Sequence, residues 1–162
     1  MSRWMEPAHA YACAFEALTP ATLPDLARLW TEDVLFVDPF NHVRGLDASL
    51  AVYRHMYLTT DDPRFQVLDV AATDAAAYLK WRMTFRPKGT PETWTIEGMS
   101  ELAFAEDGRV RAHVDHWDAA SQLYEKVWGL GWLMRPRQRP LMSATRPPAF
   151  SSRPKSASAK RR

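Results

Sequence analysis

AYLKWRMTFR, residues 77–86, alternates without interruption: Leu79, Trp81, Met83 and Phe85 fall on one face of an extended chain, and Tyr78, Lys80, Arg82, Thr84 and Arg86 on the other. The apolar face has to meet a core, and the polar face stays wet. The same period of two recurs on both sides. Upstream, residues 64–70 read as a strand that follows Pro63. Downstream, PKGTP turns the chain into residues 93–104, where Trp94, Ile96, Gly98, Ser100, Leu102 and Phe104 share a face. AEDG then signals a hairpin into RVRAHVDHWD, residues 109–118.

Nearer the N-terminus the period is largely helical. Tyr11, Phe15 and Leu18 are spaced i, i+4, i+7 in a helix over 8–18, and a second short helix over 22–30 sets Leu26, Leu29 and Trp30 on one side. VLFVDPF, residues 34–40, is the first strand. NHVRG is turn-like, and Asp47 is placed to cap a helix that carries Leu50, Tyr53, Met56 and Tyr57 as an apolar stripe and runs to about Leu58. After the last strand, Asp118 is placed to cap a closing helix with Leu123, Tyr124, Val127 and Trp128. Helix, helix, strand, helix, then four strands joined largely by hairpins, with no βαβ repeat, is α+β: helices packed on a curved antiparallel sheet.

The 162 residues suffice for one domain with a sizeable core. Cys13 stands alone, which rules out an internal disulfide, and reads as a small core residue rather than a nucleophile. Residues 1–20 lack the pattern of a secretory signal, and no window approaches the ~20 apolar residues of a membrane-spanning helix. The cytoplasm is the expected compartment. The net charge of +2 hides an asymmetry, because residues 135–162 hold nine Lys or Arg and no acid, leaving the preceding residues at −7. We therefore expect one domain over 1–135 and a disordered, basic, Pro/Ser-rich tail over 136–162. The tail reads as solvated, with no specific nucleic-acid partner.

Two stretches concentrate ionisable groups. In VLFVDPF, alternation aligns Asp38 with Val34 and Phe36. A carboxylate on an apolar face is either a satisfied structural acid or a tuned functional one. In AHVDHWD, residues 112–118, His113, Asp115 and Trp117 share a face, so that imidazole and carboxylate are neighbours. This is either a polar strand end in water or a site. No HExxH or paired-Cys spacing supports a metal, and no GxGxxG, P-loop or GxSxG is present.

The order of these short motifs, VLFVDPFNHVRG, YRHMY and GMSELAFAEDGRVRAHVDHWDAASQLYEK, resembles the nuclear transport factor 2-like superfamily, and within it the SnoaL-like branch, over about residues 8–134. That resemblance implies a cone-shaped bent sheet around an apolar pocket, with the N-terminal helices on its concave side. Relatives in this superfamily include ketosteroid isomerases, polyketide cyclases, limonene-epoxide hydrolases and non-catalytic binding proteins. Asp38-Pro39 matches the strand-end Asp-Pro whose acid is the general base of the ketosteroid isomerases. Apolar walls there can raise a carboxyl pKa and make it a usable base. An ungapped reading places Ala14 and Ser100 where those enzymes carry their oxyanion donors. The oxyanion pair is absent, and Tyr11, Tyr53, Ser100, His113 or Asp115 would have to replace it.

The resemblance implies two functions. One is cofactor-free and metal-free proton transfer on a hydrophobic carbonyl compound, with Asp38 as base and His113 and Asp115 as proton partner or oxyanion donor. Phe36, Tyr53, Trp81, Trp94, Ser100, Leu102, Phe104 and Trp117 would line the pocket. The other is a non-catalytic module that binds a lipid or hydrophobic metabolite. A homodimer through the outward face is expected, with Lys80, Arg82 and Arg86 opposite Glu97 and Glu101. Residues 123–139 set Trp128, Trp132, Leu133 and Met134 beside Arg135, Arg137 and Arg139. That segment either closes the wide end of the cone, the reading preferred here, or makes a peripheral membrane contact.

Overall fold

The computed structural model describes residues 2–124. The tail over 136–162, the Trp128–Met134 cluster and nearly all of the 123–139 segment lie outside the described residues. Three helices, α1 (Met5–Glu16), α2 (Leu23–Arg28) and α3 (Leu46–Thr59), precede or interrupt six strands: β1 (Trp30–Val37), β2 (His42–Arg44), β3 (Thr60–Ala72), β4 (Ala77–Pro87), β5 (Trp94–Phe104) and β6 (Val110–His116). A short π-helical turn, Ala120–Tyr124, follows. Among the described residues no helix is long and apolar enough to cross a membrane.

The strands form one sheet in the order β2-β1-β6-β5-β4-β3. It is antiparallel except at one place: β1 runs parallel to β6, with Phe36 beside His113 and Val37 beside Val114. The expected antiparallel sheet is therefore mixed, because β1, paired on one side with β2, takes the last strand as its other neighbour across the whole fold. NHVRG holds the three-residue strand β2 instead of only a turn. Trp30, expected to end a helix, opens β1, where its side chain is buried. Irregularities in β3 near Asp61–Arg64 and Val67–Asp69 bend the sheet. The Glu16 carboxylate at the end of α1 accepts the Val67 N–H there at 2.7 Å.

The alternation of 77–86 has the predicted result: Leu79, Trp81, Met83 and Phe85 are buried, and the opposite side chains face out. On the outer face Arg82 meets Glu97 at 2.6 Å with both side chains nearly half exposed, a pair of little energetic weight. The concave face is covered by α1, through Ala8, Tyr11, Ala12 and Phe15, and by α3, through Ser49, Leu50 and Tyr53. Cys13 points out to solvent rather than into the core, because it is one position round the helix from the buried stripe.

Asp47 lies in the first turn of α3 but makes no cap. Gly45 occupies that position at φ +95°, a conformation open to glycine, and its N–H donates to Val34 O at 2.8 Å, which ties the helix start to β1. Asp118 does cap its turn, accepting the Ala120 and Ser121 N–H groups and the Ser121 hydroxyl. Those bonds, the Ser121 hydroxyl foremost, hold its pKa below the ordinary value. Gln122 then pairs with the β5 edge as a strand would, accepting Glu97 N–H at 2.6 Å and donating to Glu97 O at 3.0 Å. This clamp sets Leu123 over the concave side.

Candidate functional site

Between the concave face, α1 and α3 lies a cavity of about 280 Å³, at the lower edge of the ~300–1,000 Å³ typical of ligand sites. Six of the expected residues line it: Phe36, Asp38, Tyr53, Trp81, Asp115 and Trp117. The wall also uses Phe15 of α1, Phe65 of β3, Met83 and Phe85 of β4 and Ile96 of β5. The inward faces of all but Phe65 were legible, but not that they border a void. Asn41, His55, Thr59 and Thr60 add polar atoms near the rim of α3 and the β1–β2 turn.

Behind the wall runs a buried hydrogen-bonded chain. Trp30 Nε1 donates to the Tyr11 hydroxyl at 3.0 Å, and that hydroxyl lies 2.7 Å from His113 Nδ1. His113 Nε2 lies 2.7 Å from Asp115 Oδ1. From the other side the Ser100 hydroxyl donates to the same oxygen at 2.5 Å and accepts the Trp81 indole N–H at 2.8 Å. The donor inventory assigns the protons. With Nε2–H donating to the carboxylate, Nδ1 is the acceptor for the Tyr11 proton, and the Tyr11 oxygen accepts from Trp30. Every member is satisfied, and among the described residues no hydrogen bond uses Asp115 Oδ2.

The sequence folds this way for local reasons. Ser100 and Asp115 are directly opposite on β5 and β6. Trp81 lies opposite Gly98, where an added Cβ would stand 2.6 Å from Trp81 Cζ2 and 2.9 Å from Trp117 Cβ, so only a bare backbone lets the indole lie across β5 and reach Ser100. His113 is fully buried between Phe36, whose ring centroid is 5.1 Å away, and Tyr11. Burial, with a smaller contribution from the Asp115 charge, pushes the Tyr11 phenol well above its ordinary pKa despite the Trp30 hydrogen bond.

Asp38 is held differently. Its Oδ1 accepts the Phe40 N–H at 2.7 Å, the Asn41 N–H at 2.6 Å and the Asn41 side-chain amide at 3.0 Å, while Oδ2 accepts only that amide, at 2.9 Å. This is an Asx-type turn following β1. Its surroundings are not the bare apolar wall that the sequence suggested: Asp38 faces the cavity and also fastens the turn. The register that pairs Val37 with Val114 puts an aspartate one residue further on in both strands, which is why Asp38 and Asp115 line one cavity.

His113 and Ser100 are fully buried behind Asp115 rather than on the wall. Leu102, Phe104 and Trp94 are not on the wall either. Leu102 lies opposite His113 across the β5–β6 ladder, Phe104 stacks on Trp4 at 5.2 Å, and Trp94 packs edge-on to Phe85 at 6.1 Å. Tyr53 is 4% exposed, and its hydroxyl has no hydrogen-bond partner among the described residues. Burial pushes its pKa well above the ordinary value, with the Tyr11, Asp115, Asp38 and Tyr57 groups adding to the rise. Among the described residues no group of three His, Cys, Asp or Glu is arranged to hold a metal.

A mixed, bent sheet wrapped on two helices around an apolar cavity is the nuclear transport factor 2-like fold. The model of the SnoaL-like domain matches residues 12–113, and the chain belongs to that family. Solved structures agree in fold. A Catenulispora acidiphila protein with a ketosteroid isomerase-like fold, in complex with trimethylamine, is 14% identical, with 82% of this chain and 98% of that one covered and a TM-score of 0.65. A proposed SnoaL-like polyketide cyclase from Shewanella putrefaciens is 16% identical over 76% and 97% of the two chains, with a TM-score of 0.62. An epoxide hydrolase of limonene-epoxide hydrolase type from M. tuberculosis is 15% identical over 82% and 96%, with a TM-score of 0.60. No curated protein matches the sequence.

Proposed function

We propose that this chain binds a small, largely apolar carbonyl compound in its cavity and moves a proton on it, with the Asp115 carboxylate as the group that takes and returns that proton. The carrying observation is the buried chain from Trp30 through Tyr11 and His113, which fixes one oxygen of a cavity-lining carboxylate and leaves Oδ2 unengaged among the described residues. General acid–base catalysis needs a group held in reach of the reacting proton, inside a site that excludes water. His113 and Tyr11 are positioning residues in this reading, since they orient Asp115 from behind the wall. Asp38, the base implied by the family resemblance, carries three N–H donors on one oxygen and fastens its own turn. We therefore assign it to the binding side.

In the proposed step, Asp115 Oδ2 takes a proton from the carbon next to a carbonyl, and the C–H electron pair moves onto the carbonyl oxygen. The Tyr53 hydroxyl donates to that oxygen, and Asp115 returns the proton to the same carbon or, where a C=C stands β,γ to the carbonyl, to the γ-carbon of the dienolate. An isomerisation of this kind balances without a cofactor. The small-molecule relatives among the similar folds support a small-molecule occupant. A second reading, a binding module without chemistry, draws on the turn bonds of Asp38, which are what a structural cap requires. Solvent-deuterium incorporation into apolar cyclic ketones, followed by mass spectrometry, separates the two. Incorporation faster than in buffer is expected of the enzyme, and a rate equal to buffer leaves only the binding module.

We also propose that two copies pair through the outward face of β4 and β5, where Met99 is 40% exposed between Glu97 and Glu101. Sedimentation at micromolar concentration tests this, with the mass of a single chain as the contrary result.

A further inference from the structure

The charge of the cavity is one-sided. Asp38 and Asp115 both line it, the His55 imidazole on α3 is the one basic side chain among the described residues of its wall, and no Lys or Arg is among them. Among the described residues no ion pair reaches Asp38, and Asp115 meets only the His113 ring. The two carboxylates follow the Val37–Val114 pair on adjacent parallel strands, and both face the same cavity. Aromatic rings stand around them: Trp81 and Phe36 deeper in, and Trp117 and Phe40 near the exposed turn, edge-to-face at 5.6 Å with Phe40 51% exposed. Tyr53 adds a buried hydroxyl without a partner among the described residues, and the charges of both Asp38 and Asp115 act on it.

A merely apolar ligand would leave both carboxylates uncompensated, and an anionic one would add a third negative charge. A cation with a lipophilic surface meets all three features, because ring faces attract an ammonium electrostatically, carboxylates accept its N–H, and a phenol oxygen accepts as well.

We propose that the molecule taken by this cavity carries a protonated aliphatic amine, held between the Asp38 carboxylate and the rings of Trp117 and Phe40, with its apolar body directed toward Trp81 and Asp115. The inference deepens the small-molecule reading above and rests on it. The turn supports the geometry: three of its four hydrogen bonds to Asp38 fall on Oδ1 and one on Oδ2, so Oδ2 keeps acceptor capacity for an N–H of the ligand. The amine also fits the proposed chemistry. Taking a proton from carbon leaves Asp115 neutral and moves the negative charge onto an enolate that shares the cavity with the Asp38 carboxylate, and a cation within the same molecule offsets that charge.

Titration calorimetry of the full chain near neutral pH, with three probes of similar shape, tests this directly: N,N-dimethylcyclohexylamine, cyclohexyl methyl ketone and cyclohexanecarboxylate. The amine is expected to bind at least about tenfold more tightly than the ketone, and the carboxylate not at all. Asp38→Asn keeps a side-chain oxygen for the turn and removes the charge. It should weaken the amine about tenfold and the ketone, which has no charge for Asp38 to meet, far less. Raising the salt concentration on the unaltered chain should weaken only the amine, which keeps the test valid if the variant folds poorly. Ketone or carboxylate binding as tightly as the amine, no amine binding, or amine binding indifferent to both Asp38→Asn and salt would each overturn the proposal. Deuterium incorporation into amine-free ketones is a separate readout, so loss of the amine preference leaves the proton-transfer reading standing or falling on its own result.

Discussion

His113 Nε2 lies 2.7 Å from Asp115 Oδ1, so a wholly buried imidazole backs a carboxylate that faces the cavity. Its other nitrogen lies 2.7 Å from the Tyr11 hydroxyl, which comes from the first helix. Tyr11→Phe removes that hydroxyl and leaves the Trp30 indole N–H and His113 Nδ1 buried without partners. A loss of about 1–3 kcal/mol in urea unfolding is expected. Freed of its donor, the imidazole can turn or change tautomer, so kcat for proton transfer should fall more than KM rises. An unchanged midpoint together with unchanged kcat would contradict the relay.

Gly98 leaves room for two tryptophans at once. In Gly98→Ala the new methyl would sit 2.6 Å from Trp81 and 2.9 Å from Trp117 Cβ, and both side chains line the cavity. We expect a cost of about 1–3 kcal/mol from overpacking and weaker binding of any cavity ligand, read by thermal unfolding and by titration. Wild-type stability in this variant would show that the indole has freedom the packing does not suggest.

Alkaline pH should unfold the protein through its tyrosines. Tyr11 and Tyr53 are held well above their ordinary pKa by burial, and Tyr57, also by burial, is pushed up to about 12. With folded-state values above the unfolded value of about 10, the folded state keeps protons that the unfolded chain releases. Stability is therefore whole below pH about 10 and declines as the pH rises toward the folded-state values, by up to about 1.4 kcal/mol per pH unit for each of the two buried phenols. Unfolding free energies measured from pH 8 to 12 check this. Tyr53→Phe should flatten the decline, and a slope that stays the same would argue against its burial.

Much of this fold could be read from periodicity, and the limits of that reading are physical. The inward faces of β4 and β5 follow from strict alternation, and the shared face of His113 and Asp115 from their spacing. Alternation gives a face but not a depth: Ser100, Leu102 and Phe104 share theirs, yet only the void between α1, α3 and the bend of β3 decides which residues of β4 and β5 border the cavity. Pairing between distant segments has no local signature. The parallel register of β1 with β6 brings Asp38 to Asp115, and the bond from Tyr11 to His113 spans 102 positions. β2 is too short to show a period, and Trp30 fitted a helical stripe as well as a strand end. The four hydrogen bonds to Asp38 come from a turn whose Asp-Pro-Phe-Asn sequence signals an Asx turn, and that signal could have identified them in advance.

The proton-transfer account is tested most directly by comparing Asp115→Asn with Asp38→Asn in deuterium incorporation into an apolar cyclic ketone, after matched circular dichroism spectra establish that both variants fold. The account predicts that Asp115→Asn loses at least about a hundredfold in kcat, whereas Asp38→Asn acts mainly on KM. The reverse order, or undiminished incorporation by Asp115→Asn, would contradict it.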